Sequence, residues 1–140
     1  MSADDFLSFP PDTLDREPLR VPIVARGPAW LALNKPAGVP WIADPWIPRS
    51  SDLVREVRRQ LRDGKPQLTR LGIEKFHGIV GPDLVASGVV LCASTDAESD
   101  RLANALGSGQ IELTYRFVTM GRPVETEIVC ELPMAPHATE

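Results

Sequence analysis

The chain has only two cysteines, two histidines and one tyrosine, and no apolar run approaches the length that spans a bilayer. Cys92 and Cys130 each sit in an apolar, strand-like run and match no zinc-ligand spacing, so two free buried thiols are expected. With His77 and His137 as the only histidines, metal ligands would have to be widely scattered, and no metal site is expected. There is no glycine-rich phosphate loop, no Gly-x-Ser-x-Gly elbow and no internal repeat, which argues against P-loop nucleotide chemistry, serine-hydrolase chemistry and solenoid architectures. The opening MSADDFLSFPPD is acidic where a signal peptide is basic and then apolar, so the expected compartment is cytoplasmic, with no membrane partner.

What is present suits one globular domain. At 140 residues, 43% apolar and 24% charged, the chain can bury a core without disulfide or metal staples. Its 14 prolines predict many turns and abrupt element ends. The net charge of −4 argues against non-specific nucleic-acid binding, but the average conceals segregation. Between Arg49 and Lys75 eight basic residues face four acidic ones, giving +4, and the remainder carries −8.

Residues 1–20 combine three prolines with five acids and show no sustained period, which predicts an irregular arm that can pack through Phe6, Leu7 and Phe9. Residues 21–132 form the expected domain, and 133–140 a frayed tail. Val21–Ala25 and Trp30–Leu33 are strand candidates, joined as a hairpin or as successive strands. Asn34-Lys35-Pro36-Ala37-Gly38-Val39-Pro40 then turns the chain. Trp41 and Trp46 follow; they could stack on bases, but closing the edge of the core is the expected role. Ser50 or Ser51 caps a predicted helix to about Arg62, ended by Gly64 and Pro66. Leu53, Val54, Val57 and Leu61 share its apolar side; Arg55, Arg58, Arg59 and Arg62 share the other. That arginine side is either a solvated face or a phosphate-contacting stripe.

The stretch Phe76–Ser94 organises the rest. A turn-rich segment with Gly78, Gly81 and Pro82 presents Asp83, and Gly88–Ala93 follows as an apolar strand. On spacing alone Gly-Pro-Asp reads first as an ordinary surface turn and second as a carboxylate held on a loop by a rigid strand. Thr95-Asp96-Ala97-Glu98 has the form of a capping box, predicting a helix from Asp96 to about Leu106 that buries Leu102, Ala103 and Leu106. Ile111–Val118 alternates with period two, and after the Gly121-Arg122-Pro123 turn Val124–Leu132 reads as its partner strand. The expected fold class is α+β, with a mixed or antiparallel sheet and two main helices.

Three segments in order resemble the RluA-type RNA pseudouridine synthases. WLALNKPAGV, from Trp30 to Val39, resembles that family's first motif, a strand followed by Asn-Lys-Pro-Ala-Gly. Asp83-Leu84-Val85-Ala86-Ser87-Gly88 and the strand after it are similar to His-Arg-Leu-Asp-x-x-Thr-Ser-Gly. IELTYRFVTMG resembles the motif in which a tyrosine stands two places after a lysine. The resemblance covers roughly Ile23 to Gly121 and implies a pseudouridine-synthase-like domain. It places the catalytic aspartate at Asp83 and the active-site tyrosine at Tyr115, packed on the base, with Lys35 near the site entrance. In the family the aspartate initiates glycosidic cleavage of a flipped uridine in RNA and the base is rejoined through carbon; no metal or organic cofactor is implied. The implied partner is structured rRNA or tRNA, with Lys35, Arg55, Arg58, Arg59 and Arg62 as candidate RNA contacts.

The departures matter as much as the matches. Val80-Gly81-Pro82 stands where the family has His-Arg-Leu, Ala86 replaces a threonine, and Leu113 replaces the lysine before Tyr115. The family's Gly-Arg-Thr-His-Gln-Ile-Arg segment, whose basic residue pairs with the aspartate, has no counterpart before Glu140, which implies a C-terminally shortened domain or a fragment of a longer product. Loss of one charged partner costs a buried carboxylate on the order of 2 to 5 kcal/mol, enough to slow chemistry by about a thousandfold or more. Two readings follow: a pseudouridine-synthase-like protein with its catalysis weakened or lost, and a non-catalytic module that holds RNA or a protein partner. In the second, an uncovered sheet would meet that partner or a second copy of the chain.

Overall fold

The computed structural model describes residues 5–43 and 51–132. Five strands and three helices follow one another as β1 (Phe6–Phe9), β2 (Leu19–Arg26), β3 (Trp30–Lys35), α1 (Leu53–Arg62), α2 (Pro66–Arg70), β4 (His77–Val80), β5 (Gly88–Ala93) and α3 (Asp96–Gly107). The strands form a single sheet in the order β1-β2-β3-β5-β4, with every neighbouring pair antiparallel. This is the expected α+β class, with α1 and α3 as the two main helices.

Side-chain alternation builds the core. Val21 and Ile23 of β2, Leu31 and Leu33 of β3, and Val90 and Cys92 of β5 are buried together with Leu53, Val54 and Val57 of α1 and Leu68 of α2. Pairing of β3 with β5 runs unbroken from Trp30 opposite Ala93 to Lys35 opposite Gly88. Residues distant in sequence are therefore locked at the centre of the sheet, and the end of β3 lies beside the start of β5.

The first residues depart from the expected irregular arm. Phe6–Phe9 forms β1, paired with Leu19–Pro22, and Leu7 and Phe9 are buried in the core. Four residues are too few to display a period, and Pro10 ends the strand at once. Its backbone is held further by side chains from α1, α2 and the residues between them: Gln67 Nε2 donates to Phe6 O at 2.7 Å, Gln60 Nε2 to Ser8 O at 3.0 Å, and Lys65 Nζ to Ser8 O as well. An edge strand's open carbonyls are satisfied in this way without another strand.

Other boundaries shift for local reasons. The α1 cap is Asp52, whose side chain accepts from Arg55 N at 2.9 Å, rather than either serine; Ser51 Oγ instead donates to Glu56 Oε1. Gly64 at φ +70° ends α1 as expected, but Pro66 then opens α2, where a missing N–H costs nothing. The turn-rich segment before Asp83 contains β4. Thr95 caps α3 by accepting from Glu98 N at 3.2 Å, while the Glu98 carboxylate is bonded to Arg101. Within α3 Leu102 is buried, but Ala103 is exposed and Leu106 only half-buried.

The largest correction concerns residues 111–132. Neither Ile111–Val118 nor Val124–Leu132 forms a strand; Phe117, Val118 and Val124 are all at least 82% exposed. Alternation supplies a face, but a strand also needs a pairing edge and a layer over that face, and the described residues supply neither to this segment. Cys130 is correspondingly exposed, not buried, while Cys92 is buried. Trp41 packs against the core, as expected; Trp46, Ser50 and the tail 133–140 lie outside the described residues.

Candidate active site at the Asp83 loop

Strand β3 stops at Lys35 because Pro36 offers no N–H for the ladder. Gly38 turns the chain at φ +80°, a conformation that costs glycine little. Its amide donates to Leu84 O at 2.8 Å, so the turn after β3 is stitched to the loop that enters β5. Within that loop Ala86 N donates to Asp83 O at 3.1 Å, a tight turn with Asp83 at its start.

Beneath the turn lies Lys35. It is 0% exposed, and its ammonium donates to Ala86 O at 2.7 Å, Pro36 O at 3.0 Å and Leu84 O at 3.4 Å. Three donors meet three carbonyls, which is what allows an ammonium to be buried at all. Burial pushes the Lys35 pKa below its usual value, and the Asp83 carboxylate opposes that shift. The expected place for Lys35 was the site entrance, in contact with RNA. The structure instead puts it under the floor of the loop, where it fixes the backbone on both sides of Leu84 and faces Asp83 electrostatically.

The position two before Asp83, where the family resemblance has an arginine, is Gly81. A Cβ there would lie 2.9 Å from Val90 Cγ2 and 3.0 Å from Trp41 Cε2. The Trp41 ring also covers Gly78, where a Cβ would come within 2.7 Å of it. Any side chain at position 81 would therefore have to displace the indole, and the nearby cation is Lys35 beneath the loop, bonded to carbonyls rather than to Asp83.

Asp83 itself is exposed. Pro82 and Ala86, which bracket it, line a cavity of about 610 Å³ whose opposite wall is residues 111–116, including Tyr115; Val89 and Leu91 of β5 form its base. Asp83 lies outside that lining, and Tyr115 is 59% exposed. The loop that carries the carboxylate thus shares a concavity with the phenol, although the two side chains do not line it together.

On α1 the four arginines are all exposed, opposite buried Leu53, Val54 and Val57, but they are not equivalent. Arg59 is bonded to Glu56 at 2.9 Å and lies 3.5 Å from Asp63. Burial pushes the Glu56 carboxyl up, and hydrogen bonds from Ser51 and Arg59 outweigh it, leaving the pKa below the usual value. Arg58 donates from Nε to Phe76 O at 2.7 Å. With Arg62 it lines a second concavity, of about 420 Å³, whose far side is Lys75, His77 and Asp96. Lys75 and His77 escaped the helical pattern because they lie beyond α1; only the charge count over Arg49–Lys75 signalled the first of them.

No family model matches the chain, and no curated protein matches it. Among solved structures, human RNA pseudouridylate synthase domain containing 4 is similar over 63% of this chain and 30% of that one, with 15% identity and a TM-score of 0.47. The chain spans less than a third of that protein's length. Among the described residues, no helix is long and apolar enough to cross a membrane.

Proposed function

We propose that the chain is an RNA-directed protein of the pseudouridine-synthase type, RluA-like in its motifs, with Asp83 as the residue that acts on uridine. The observation that carries this reading is the union of its first two motifs. The Asn-Lys-Pro-Ala-Gly turn holds the Asp83 loop through Gly38 N to Leu84 O and through the three bonds of Lys35 Nζ. Segments that resemble one family in sequence are here the two halves of one small device, a carboxylate turn on a buried ammonium. Lys35 serves it as a positioning residue, and Tyr115, across the cavity from Pro82, is the group placed to pack on a flipped base.

A second reading, a non-catalytic RNA-binding module, is favoured by the exposure of both Asp83 and Tyr115. Acid chemistry on a sugar gains most when water is excluded from the carboxylate. The two readings separate in one assay. RNA carrying a loop uridine, incubated with the protein and digested to nucleosides, yields pseudouridine with the wild type and none with Asp83→Asn if the first reading holds. Product formation that Asp83→Asn leaves unchanged removes the role given to Asp83. RNA binding without product in the wild type selects the module.

A further inference from the structure

The concavity between α1, β4 and the start of α3 brings together groups that chain order does not connect. Arg58 and Arg62 come from the last turns of α1, Lys75 and His77 flank Phe76 at the entry to β4, and Asp96 opens α3. The Nε of Arg58 is spent on Phe76 O at 2.7 Å; this bond orients the guanidinium and leaves its two terminal nitrogens without a partner among the described residues. Arg62 has no partner among them at all. Lys75 and His77 both reach Asp96, the histidine through Nε2 to Oδ1 at 2.9 Å. Glu74 completes the rim.

We infer that this concavity receives a backbone phosphate of an RNA strand, with Arg58 and Arg62 as one jaw and Lys75 and His77 as the other. The inference rests on the reading that RNA is the partner, and it says where on the surface the strand runs. Guanidinium groups match phosphate geometry through paired donors, and an ammonium adds a point charge. Asp96 occupies Lys75 and His77 when the site is empty and competes with an incoming anion. Arg59 belongs to the same helix face but is engaged by Glu56 and Asp63, so the arginine stripe is divided, with Arg58 and Arg62 on the phosphate side.

The test is fluorescence anisotropy of a labelled stem-loop RNA with a loop uridine, titrated with full-length protein across a range of salt. Arg62→Glu and Lys75→Ala touch exposed side chains and leave the core intact. Each should weaken binding and reduce the slope of log affinity against log salt, by at most about 0.7, the share of one single-strand phosphate contact. Asp96→Asn should tighten binding, a result that a merely structural role for Asp96 would not produce. Arg101→Ala, on the exposed part of α3, should change nothing. Wild-type protein that binds no RNA overturns the RNA reading, and this inference with it. Wild-type binding that Arg62→Glu, Lys75→Ala and Asp96→Asn all leave unaltered overturns this inference alone.

Discussion

The ammonium of Lys35 lies 2.7 Å from the carbonyl of Ala86, across the junction where β3 ends and β5 begins, and it is completely shielded from water. A charge in that position is retained only because three carbonyls hold it. Replacing it removes the donors and leaves the acceptors buried. Lys35→Met should therefore destabilise the fold by about 2 kcal/mol, the cost of orphaned carbonyls less the relief of no longer burying an ammonium. Urea unfolding monitored by circular dichroism measures it; a variant as stable as the wild type would mean that water reaches Pro36 O, Leu84 O and Ala86 O.

Gly78→Ala and Gly38→Ala should behave differently although both replace glycine by alanine. At Gly78 the new Cβ would come within 2.7 Å of the Trp41 ring and 2.9 Å of Val54 Cγ2, so the indole must move, at about 1 to 3 kcal/mol, with a change in tryptophan emission. At Gly38 nothing lies within 4 Å; the cost is the positive φ alone, about 1 kcal/mol, and emission should stay constant. Equal emission changes in the two variants would contradict the packing of Trp41 on β4.

The two thiols should report burial directly. Cys130 is exposed and Cys92 buried, so a thiol reagent added to native protein should modify one cysteine quickly and the second only after denaturation. Two equally fast reactions would place Cys92 outside the core.

Cys92 also predicts the alkaline limb of stability. Burial pushes its thiol up from 9.0 to about 12, so above pH 9 the unfolded chain loses a proton that the folded one keeps. By linkage, the stabilising contribution of the buried thiol is complete below the unfolded pKa and falls as pH rises from there toward the folded value, by about 1.4 kcal/mol per pH unit. Lys35 works in the opposite sense over the alkaline range, since its folded pKa is lowered. The comparison that isolates the thiol is wild type against Cys92→Ala. The variant should be less stable at neutral pH, and the gap should narrow above pH 9; a constant gap would remove the titration.

Much of the fold was legible in the sequence because its signals are local. Short apolar runs bounded by glycine and proline marked β2, β3 and β5, and Thr95 marked the start of α3. What was not legible depended on partners. Phe6–Phe9 becomes a strand because β2 and the side chains of Gln60, Lys65 and Gln67 receive it, whereas Ile111–Val118, with a far clearer alternation, stays unpaired. The site divides in the same way. Asp83 on its loop and the Asn-Lys-Pro turn were visible as motifs, but that Lys35 lies beneath that loop follows from the β3–β5 register, which no single segment encodes. The concavity shared by Arg62, Lys75 and Asp96 is likewise a product of tertiary assembly.

The way β1 is held has a temporal side. Its strand neighbour among the described residues, β2, begins at Leu19, but the groups that close its open margin come from Gln60, Lys65 and Gln67, so a ribosome must pass well beyond β2 before they exist. Throughout that interval Phe6–Phe9 displays bare carbonyls beside the apolar side chains of Leu7 and Phe9. The nascent protein should therefore be at its most adhesive before α2 emerges, and a chaperone that recognises short apolar stretches would find its natural target in the first ten residues.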